Sequence, residues 1–482
     1  MIRFYYEDQL VELDNVPADL TVLDWLRLHR QRTGTKEGCG SGDCGACTVV
    51  TLSVVGDDNG KEWLQHESIN SCISFVGALH GKQLLTVESL ATGDVLHPVQ
   101  QAMVDEHGSQ CGFCTPGFIM SLYALYQQDE DESVLLERVD QALGGNLCRC
   151  TGYRPIKAAA KVALDYRASS GKGSFAAQPE GMDGARFEQE QIKSLKALLV
   201  APVDTNGFYQ PQNIADFASR YKENPQARLL AGGTDLALEV TQQLNHLSSI
   251  IHVGHVPELK IKQLHDDRLV LGAAVTVAEC LDIMSARLPQ ARELLLRFGS
   301  DQIRNQATIG GNIGSASPIG DLPPLLLSLD ATLTLQCGGE TRDIPISHYY
   351  KGYRQTCLQE GEFVRHISLG LPTSSSVFAI YKISKRVEDD ISSVCAAFHL
   401  PQNDGVINNA RVAFGGMAAT PVRAIATEQV LNAKPFNQVS VRTAQAQLAA
   451  ELQPISDARA SAAYRSQVAQ NLLQRLFLEQ SA

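Results

Sequence analysis

The sequence predicts a multidomain α+β protein, and three observations carry that expectation. At 482 residues the chain exceeds what a single hydrophobic core supports, so roughly two to four domains are expected. Eight of its twelve cysteines lie before residue 151, which marks off an N-terminal region with its own chemistry. The pattern then changes from helical periodicity between His97 and Ala168 to an alternation of helices and short strands. Hydrophobic residues at 44% and charged residues at 20% are ordinary for a globular chain. A net charge of −12 without a Lys/Arg cluster argues against a nucleic-acid partner, because phosphate neutralisation needs clustered cations. The longest apolar run, around Leu322 to Leu329, contains two prolines and is too short to span a bilayer. Met1 to Asp8 has neither the basic nor the apolar segment of a secretory leader, so a cytoplasmic location is expected.

Taken in order, Ile2 to Tyr6 and Val11 to Leu13 alternate as a hairpin with Asp8-Gln9 in its turn. Thr21 to Leu28 has the period of an amphipathic helix, with Asp19 or Thr21 available as N-cap. Cys39, Cys44 and Cys47 follow in a glycine-rich C-x4-C-x2-C loop, and Cys72 supplies a fourth thiol 25 residues on. That is the plant-type [2Fe–2S] spacing, in which glycines let backbone N–H groups wrap the sulfides. A four-cysteine zinc site is the rival, but zinc ribbons carry two short knuckles rather than one loop and a distant cysteine. In a reducing compartment the clustered thiols are ligands rather than disulfides. Cys280, Cys337, Cys357 and Cys395, scattered singly, are expected to be buried small hydrophobes.

Pro98 to His107, Pro116 to Gln127, Ser133 to Leu143 and Arg154 to Arg167 are of helical length and period. Cys111 and Cys114 precede the second of these, and Cys148 and Cys150 precede the fourth. Helix N-termini favour anionic groups, so these thiols suit a second cluster, with four structural cysteines or one zinc as the plainer alternatives. Ser169 to about Ala185 lacks periodicity and is expected to be a linker, with a short helix over Glu188 to Leu199. Beyond it, two glycine turns stand out: Leu229-Leu230-Ala231-Gly232-Gly233-Thr234-Asp235-Leu236, and Ala307-Thr308-Ile309-Gly310-Gly311-Asn312-Ile313-Gly314. Such turns after strands let backbone amides approach a pyrophosphate, though a lone Gly-Gly-Thr-Asp is more often just a turn. Neither is G-x-G-x-x-G, so a Rossmann fold is not indicated. From Pro421 on, Ala424 to Leu431 and Ala444 to Leu452 have helical texture.

The phrases Gly38 to Thr48, Gln110-Cys111-Gly112-Phe113-Cys114-Thr115-Pro116-Gly117 and Gly145-Asn146-Leu147-Cys148-Arg149-Cys150-Thr151-Gly152-Tyr153 resemble the molybdenum hydroxylases, the family of xanthine dehydrogenase and aldehyde oxidase. The second half resembles that family's FAD region at both glycine turns, Arg297-Phe298, Gly352-Tyr353-Arg354, Tyr381-Lys382, Arg386 to Ile391 and Phe414 to Met417. The resemblance implies a β-grasp [2Fe–2S] ferredoxin domain over residues 1–85 and a four-helix [2Fe–2S] domain over 86–168. A linker over 169–187 would lead to a vanillyl-alcohol-oxidase-type FAD-binding domain over 188–372 and a C-terminal α/β subdomain over 373–482. It further implies that Cys39, Cys44, Cys47 and Cys72 hold one cluster, and Cys111, Cys114, Cys148 and Cys150 the other. Gln110 and Cys150 would lie against a molybdopterin on a partner. Leu229 to Leu236 and Thr308 to Asn312 would hold the FAD diphosphate and ribityl region, with Phe298 stacked on the flavin and Asp321, Val364 and Lys382 completing the site. Tyr353, Arg354, Asp389 and Ile391 would line a nicotinamide pocket, against the plainer reading of Asp389-Asp390 as a solvated acidic loop. One departure from the animal-type pattern is Gly232-Gly233-Thr234-Asp235, where an asparagine and a glutamate are typical.

By this resemblance no catalytic residue is expected in the chain itself. It would be the small electron-transferring subunit of a two-subunit xanthine dehydrogenase, with two [2Fe–2S] clusters, FAD and NAD⁺ as acceptor, paired with a large molybdenum subunit as a heterotetramer. Three alternatives stand beside it: a related hydroxylase acting on aldehydes or another N-heterocycle, oxygen in place of NAD⁺, or a redox-sensing protein without turnover.

Overall fold

Alternation in Ile2-Arg3-Phe4-Tyr5-Tyr6 sends Ile2, Phe4 and Tyr6 to one buried face, and those side chains anchor the first sheet. The computed structural model describes residues 1–57, 59–170, 184–200 and 202–481. They fall into two compact units. The first comprises Met1–Gln212, Ala227–His255 and Ser300–Gln306; the second comprises Asn213–Gln226, Val256–Gly299 and Ala307–Ala482. Three stretches that the sequence reading places in 188–372, residues 188–212, 227–255 and 300–306, thus group with the N-terminal residues.

In the first unit, β1 (Ile2–Tyr6), β2 (Gln9–Leu13), β3 (Thr48–Gly56), β4 (Glu62–Asn70) and β5 (Gln83–Leu85) form a mixed sheet in the order β2-β1-β5-β3-β4. β1 runs parallel to β5 and the other pairs are antiparallel, the β-grasp arrangement. The β1–β2 turn falls at Glu7-Asp8, one residue earlier than expected, because Tyr6 pairs with Gln9 and Glu7 takes φ of 53°. Thr21 is the N-cap: its hydroxyl accepts from the Asp24 N–H at 3.0 Å. The helix it starts is α-helical only over Val22–Asp24 and widens to π geometry over Trp25–His29. Trp25 there meets the edges of Phe4 and Tyr6, with ring centroids 5.1 and 5.5 Å away.

Helices Pro98–Asp105, Thr115–Tyr126 and Arg154–Ser170 lie where the periodicity places them. The single helix expected over Ser133 to Leu143 is instead two, Glu132–Glu137 and Val139–Leu143. They part at Arg138, whose N–H divides between the carbonyls of Val134 and Leu135 and tightens the turn. Residues Gly117 to Tyr126 are all buried, and Phe118, Met120, Leu122 and Tyr123 share one core with Val50, Leu52 and Leu85 of the sheet. The cluster-bearing halves of this unit are therefore one packed body. Of the expected linker over 169–187, residues 171–183 lie outside the described residues; a helix runs over Gly184–Leu198. Short strands Val203–Thr205, Phe208–Gln210, Ile250–His252 and Arg228–Leu230 form a second sheet in this unit.

The second unit has two larger sheets. One runs Lys262–His265, Arg268–Gly272, Phe363–Gly370, Thr332–Cys337, Glu340–Pro345 in spatial order, all antiparallel. The other runs Ser376–Ile383, Val394–Asn403, Arg411–Gly415, Val422–Arg423, with Val406–Ile407 against the second strand. Ala307 to Gly314, expected as a glycine turn, is a helix over Ile309–Gly314. Thr308 makes it one: its hydroxyl accepts from the Gly311 N–H at 3.0 Å, the N-cap bond. At the C-terminus the helix expected from Ala444 begins at Gln438, capped by Asn437. A third helix, Ala462–Ser481, was not read from the sequence; it buries Leu472, Leu473 and Leu476 against Val412, Phe414 and Leu448. Truncating a fully buried leucine costs about 2–5 kcal/mol. Leu473→Ala is therefore expected to lower the stability of this unit by that amount in a denaturant melt, with the iron content of the chain unchanged.

Candidate iron–sulfur and flavin sites

The thiols of the first unit gather in two sets of four. Cys47 and Cys72 are buried with their sulfurs 3.2 Å apart, and Cys39 contacts Cys44 and Cys72. Cys150 and Cys111 are exposed with sulfurs 3.6 Å apart, and Cys114 meets Cys148. Among the described residues no three His, Cys, Asp or Glu side chains stand as a single-ion site. Four thiols in each set match the ligand number of a two-iron core, and the glycine-rich loop spacing of the first set favours it over one tetrahedral zinc. Both sets have the hydrogen bonds such a core needs. The Ser41 N–H points at the Cys39 sulfur at 3.4 Å. Cys148 receives the N–H groups of Cys150 and Thr151, each at 3.4 Å, and the Thr151 hydroxyl at 3.1 Å. Burial pushes the Cys148 thiol up, but these donors outweigh it and set its pKa at about 7, while burial pushes Cys114 up to about 12.

Cys114 is also the N-cap of Thr115–Tyr126, so the second set sits at the positive end of a buried helix. Glycine fills the loops for steric reasons. A Cβ on Gly38 would lie 2.7 Å from the Cys44 sulfur, and one on Gly117 would lie 2.1 Å from the Gly45 carbonyl oxygen.

Two adjacent residues of one loop hold two adjacent carbonyls of the other. The Leu147 N–H donates to the Cys44 carbonyl at 3.0 Å, and the Asn146 amide donates to the Gly45 carbonyl at 3.0 Å. The Phe113 ring lies beside Gly38 as a further contact between the loops. None of the sequence patterns singled out two side chains that hold this arrangement. Gln302, wholly buried, donates to the oxygens of Thr48, Ser121 and Asn146 at 3.1–3.2 Å. Gln242 donates to the carbonyls of Cys39 and Gly40 at 3.2 and 3.0 Å. Both lie far along the chain from the clustered cysteines, and an unpatterned glutamine carries no sequence signal.

The expected flavin residues divide between the units. Leu229 to Leu236, in the first, leaves strand Arg228–Leu230 and enters helix Ala237–Thr241, which ends at Gln242. Gly233 takes φ of 81°, and among the described residues the N–H groups of Gly232, Gly233 and Thr234 have no protein acceptor. These are free donors of the kind an anionic diphosphate uses. The second turn differs. The N–H groups of Ile309 and Gly310 go to the carbonyls of Val275 and Ala273, Gly311 to the Thr308 hydroxyl and Asn312 to the Thr308 carbonyl. What it offers a ligand is the Asn312 side chain, whose Oδ1 is buried without a partner. Open backbone amides are thus present at the first turn only; at the second they are taken by the carbonyls of Val275 and Ala273 and by the N-cap residue Thr308.

In the second unit Lys382 and Asp321 form a buried ion pair at 2.7 Å. Ser392 donates to Asp321 at 2.5 Å, and the Lys382 ammonium also reaches the Arg297 carbonyl at 2.8 Å. Arg297 in turn donates to the Lys382 carbonyl, the Ser384 hydroxyl and the Val387 carbonyl, fixing the backbone just before Phe298. Val364 is buried in strand Phe363–Gly370. Tyr353 and Ile391 are exposed at 63% and 44%, and Arg354 and Asp389 take φ of 52° and 47°. Asp390 accepts from the N–H groups of Arg386 and Ile391, an acidic side chain bracing its own loop. Gln110 is exposed.

Sequence profiles match four stretches: a 2Fe-2S iron-sulfur cluster binding domain over residues 4–77, a [2Fe-2S] binding domain over 86–161, the FAD binding domain in molybdopterin dehydrogenase over 203–372, and the CO dehydrogenase flavoprotein C-terminal domain over 379–480. The chain belongs to the molybdenum hydroxylase family and carries its two [2Fe–2S] domains, its FAD-binding domain and its flavoprotein C-terminal domain. Its similarity to xanthine dehydrogenases runs through nearly the whole sequence. It is 32% identical to that of Emericella nidulans over 90% of this chain and 35% of that protein. It is 30% identical to the xanthine dehydrogenase/oxidase of Rattus norvegicus over 94% of this chain and 37% of that protein. The chain thus spans between a third and two fifths of the curated relatives it matches. A carbon monoxide dehydrogenase from Hydrogenophaga pseudoflava superimposes with a TM-score of 0.53 at 25% identity, over 57% of this chain and 96% of that one. Quinoline 2-oxidoreductase from Pseudomonas putida 86 shares the fold, with a TM-score of 0.52 at 24% identity over 57% of this chain and 96% of that one. No helix among the described residues is long and apolar enough to cross a membrane.

Because Gly117 touches the Gly45 carbonyl, Gly117→Ala must push the two loops apart. It is expected to lower bound iron and acid-labile sulfide while leaving flavin content unchanged, as read by metal analysis and the visible spectrum.

Proposed function

We propose that this chain is the electron-transferring subunit of a xanthine dehydrogenase, receiving electrons from a molybdenum cofactor on a large partner chain and delivering them to NAD⁺. The observation that carries the reading is the exposure gradient of the thiols. Cys111 and Cys150 are exposed beside exposed Gln110, while Cys47 and Cys72 are buried. The first pair is where a redox group on another protein can come close, and the second is sealed for onward transfer. The clusters, when bound, supply one-electron carriage, and FAD collects two electrons for hydride delivery to a nicotinamide. The chain's own residues position these groups. Cys39, Cys44, Cys47 and Cys72 would hold one cluster, and Cys111, Cys114, Cys148 and Cys150 the other.

Within the first unit the open amides of Gly232 to Thr234 would suit an FAD diphosphate. Within the second, Asn312 and the buried Asp321–Lys382 pair are the candidate flavin residues. Tyr353, Arg354, Asp389 and Ile391 would edge the nicotinamide pocket. Because Asp321 is buried, removing its cation leaves an uncompensated carboxylate, and Lys382→Met is expected to lower flavin content with the iron content unchanged. The decisive experiment is purification from the native source with any bound partner. A large molybdopterin-carrying chain should copurify, in a two-plus-two assembly, and the complex should form NADH from NAD⁺ when xanthine is added. Turnover with carbon monoxide or an N-heterocycle instead would support a related hydroxylase, a reading favoured by the dehydrogenase and oxidoreductase structures that share its fold. Transfer to oxygen but not NAD⁺ would remove the nicotinamide assignment.

A further inference from the structure

The cluster loops of the first unit touch through the paired hydrogen bonds of Asn146 and Leu147, and Gln302 orients that contact although it belongs to neither loop. We infer that Gln302 is a positioning residue for electron passage between the two [2Fe–2S] sites. This rests on the assignment of both thiol sets as clusters and goes beyond it.

The geometry runs as one bonded path. From the Cys44 sulfur the covalent chain reaches the Cys44 carbonyl, which accepts the Leu147 N–H at 3.0 Å. The next residue is Cys148, a ligand of the other site. A single hydrogen bond therefore closes an otherwise covalent route between the two ligand sets. Its alignment depends on the neighbouring rung, Asn146 to the Gly45 carbonyl. An asparagine amide has a donor end and an acceptor end of nearly equal size, so something must decide which end faces Gly45. Ser121 and Gln302 decide it. The Ser121 hydroxyl donates to Asn146 Oδ1 at 2.7 Å, and Gln302 Nε2 donates to the same oxygen at 3.1 Å. The amide nitrogen is left to point at Gly45.

Gln302 is fixed in its turn. Its Nε2 also reaches the hydroxyls of Thr48 and Ser121, and the Thr48 hydroxyl donates to the Gly45 carbonyl at 2.7 Å. Its own Oε1 is buried without a partner and lies 2.4 Å from where a Cβ on Gly145 would stand. A side chain left partly unsatisfied in a sealed site is serving geometry rather than its own hydrogen bonding. The step it serves moves one electron: the site at Cys111/Cys114/Cys148/Cys150 is oxidised by one and the site at Cys39/Cys44/Cys47/Cys72 is reduced by one. No proton need move, because each bond in the path keeps its donor.

The test uses the full chain with both clusters and flavin in place. Two reduced [2Fe–2S] centres each carry an unpaired spin, and exchange along a bonded path contributes to the splitting of their EPR lines. In Gln302→Met, which keeps the bulk and removes the donor, both signals should persist with unchanged iron and sulfide content. Their mutual splitting should shrink, and electron equilibration between the centres after rapid one-electron reduction should slow. Ser121→Ala, which removes the other donor to Asn146, should shift both readouts in the same direction. Unchanged splitting and unchanged equilibration in the two variants would overturn the inference. Should Gln302→Met fail to assemble its clusters, Ser121→Ala alone decides by the same two readouts.

Discussion

The hydrogen bond from Leu147 to the Cys44 carbonyl, with its companion from Asn146 to Gly45, is the constraint on which the first unit depends. It requires two loops from different sequence regions to approach backbone to backbone. That explains why Gly45, Gly117 and Gly145 crowd there, since a Cβ at any of them would meet a backbone or side-chain atom within 2.4 Å. It also explains the shared core: Phe118, Met120 and Tyr123 pack with Val50 and Leu52, so the helices cannot move away from the sheet without exposing that surface. Hydrophobic burial sets the distance between the cluster sites, and the polar contacts set their alignment.

The same unit ties its clusters to its candidate flavin turn. Helix Ala237–Thr241 follows the open amides of Gly232 to Thr234 and ends at Gln242, which grips the Cys39 and Gly40 carbonyls. One short helix therefore joins a turn of open amides to the loop that carries Cys39. The second unit contributes a different kind of feature, a buried Lys382–Asp321 pair braced by Ser392 and Arg297. Buried ion pairs are weak sources of stability, so this one marks a candidate site rather than scaffolding.

Much of this was legible in the sequence because it is written in rigid local codes. Cysteine spacing and glycine content located both thiol sets, and periodicity located the helices around Pro98, Pro116 and Arg154. What was not legible depended on tertiary partners. The Thr308 hydroxyl turned an expected glycine turn into a helix by taking the Gly311 N–H, and no local pattern distinguished it from the open turn at Gly232. Arg138 divided an apparently continuous helix through a bifurcated bond. Gln302 and Gln242 act on residues 156 to 254 positions away in sequence, as long-range hydrogen-bond partners that one sequence alone does not reveal. The helix Ala462–Ser481 went unread because its buried stripe is short, Ala469 to Leu476, and continues toward the N-terminus through Arg465, a charged residue that local pattern does not mark as buried.

A potentiometric EPR titration of the purified chain, with NADH as reductant, asks whether two iron–sulfur sites and a flavin lie on one line of electron flow. Two distinguishable [2Fe–2S] signals are expected, both filled by NADH as the flavin absorbance bleaches. A chain that binds zinc in place of iron, or shows one signal that NADH cannot reduce, would contradict that expectation.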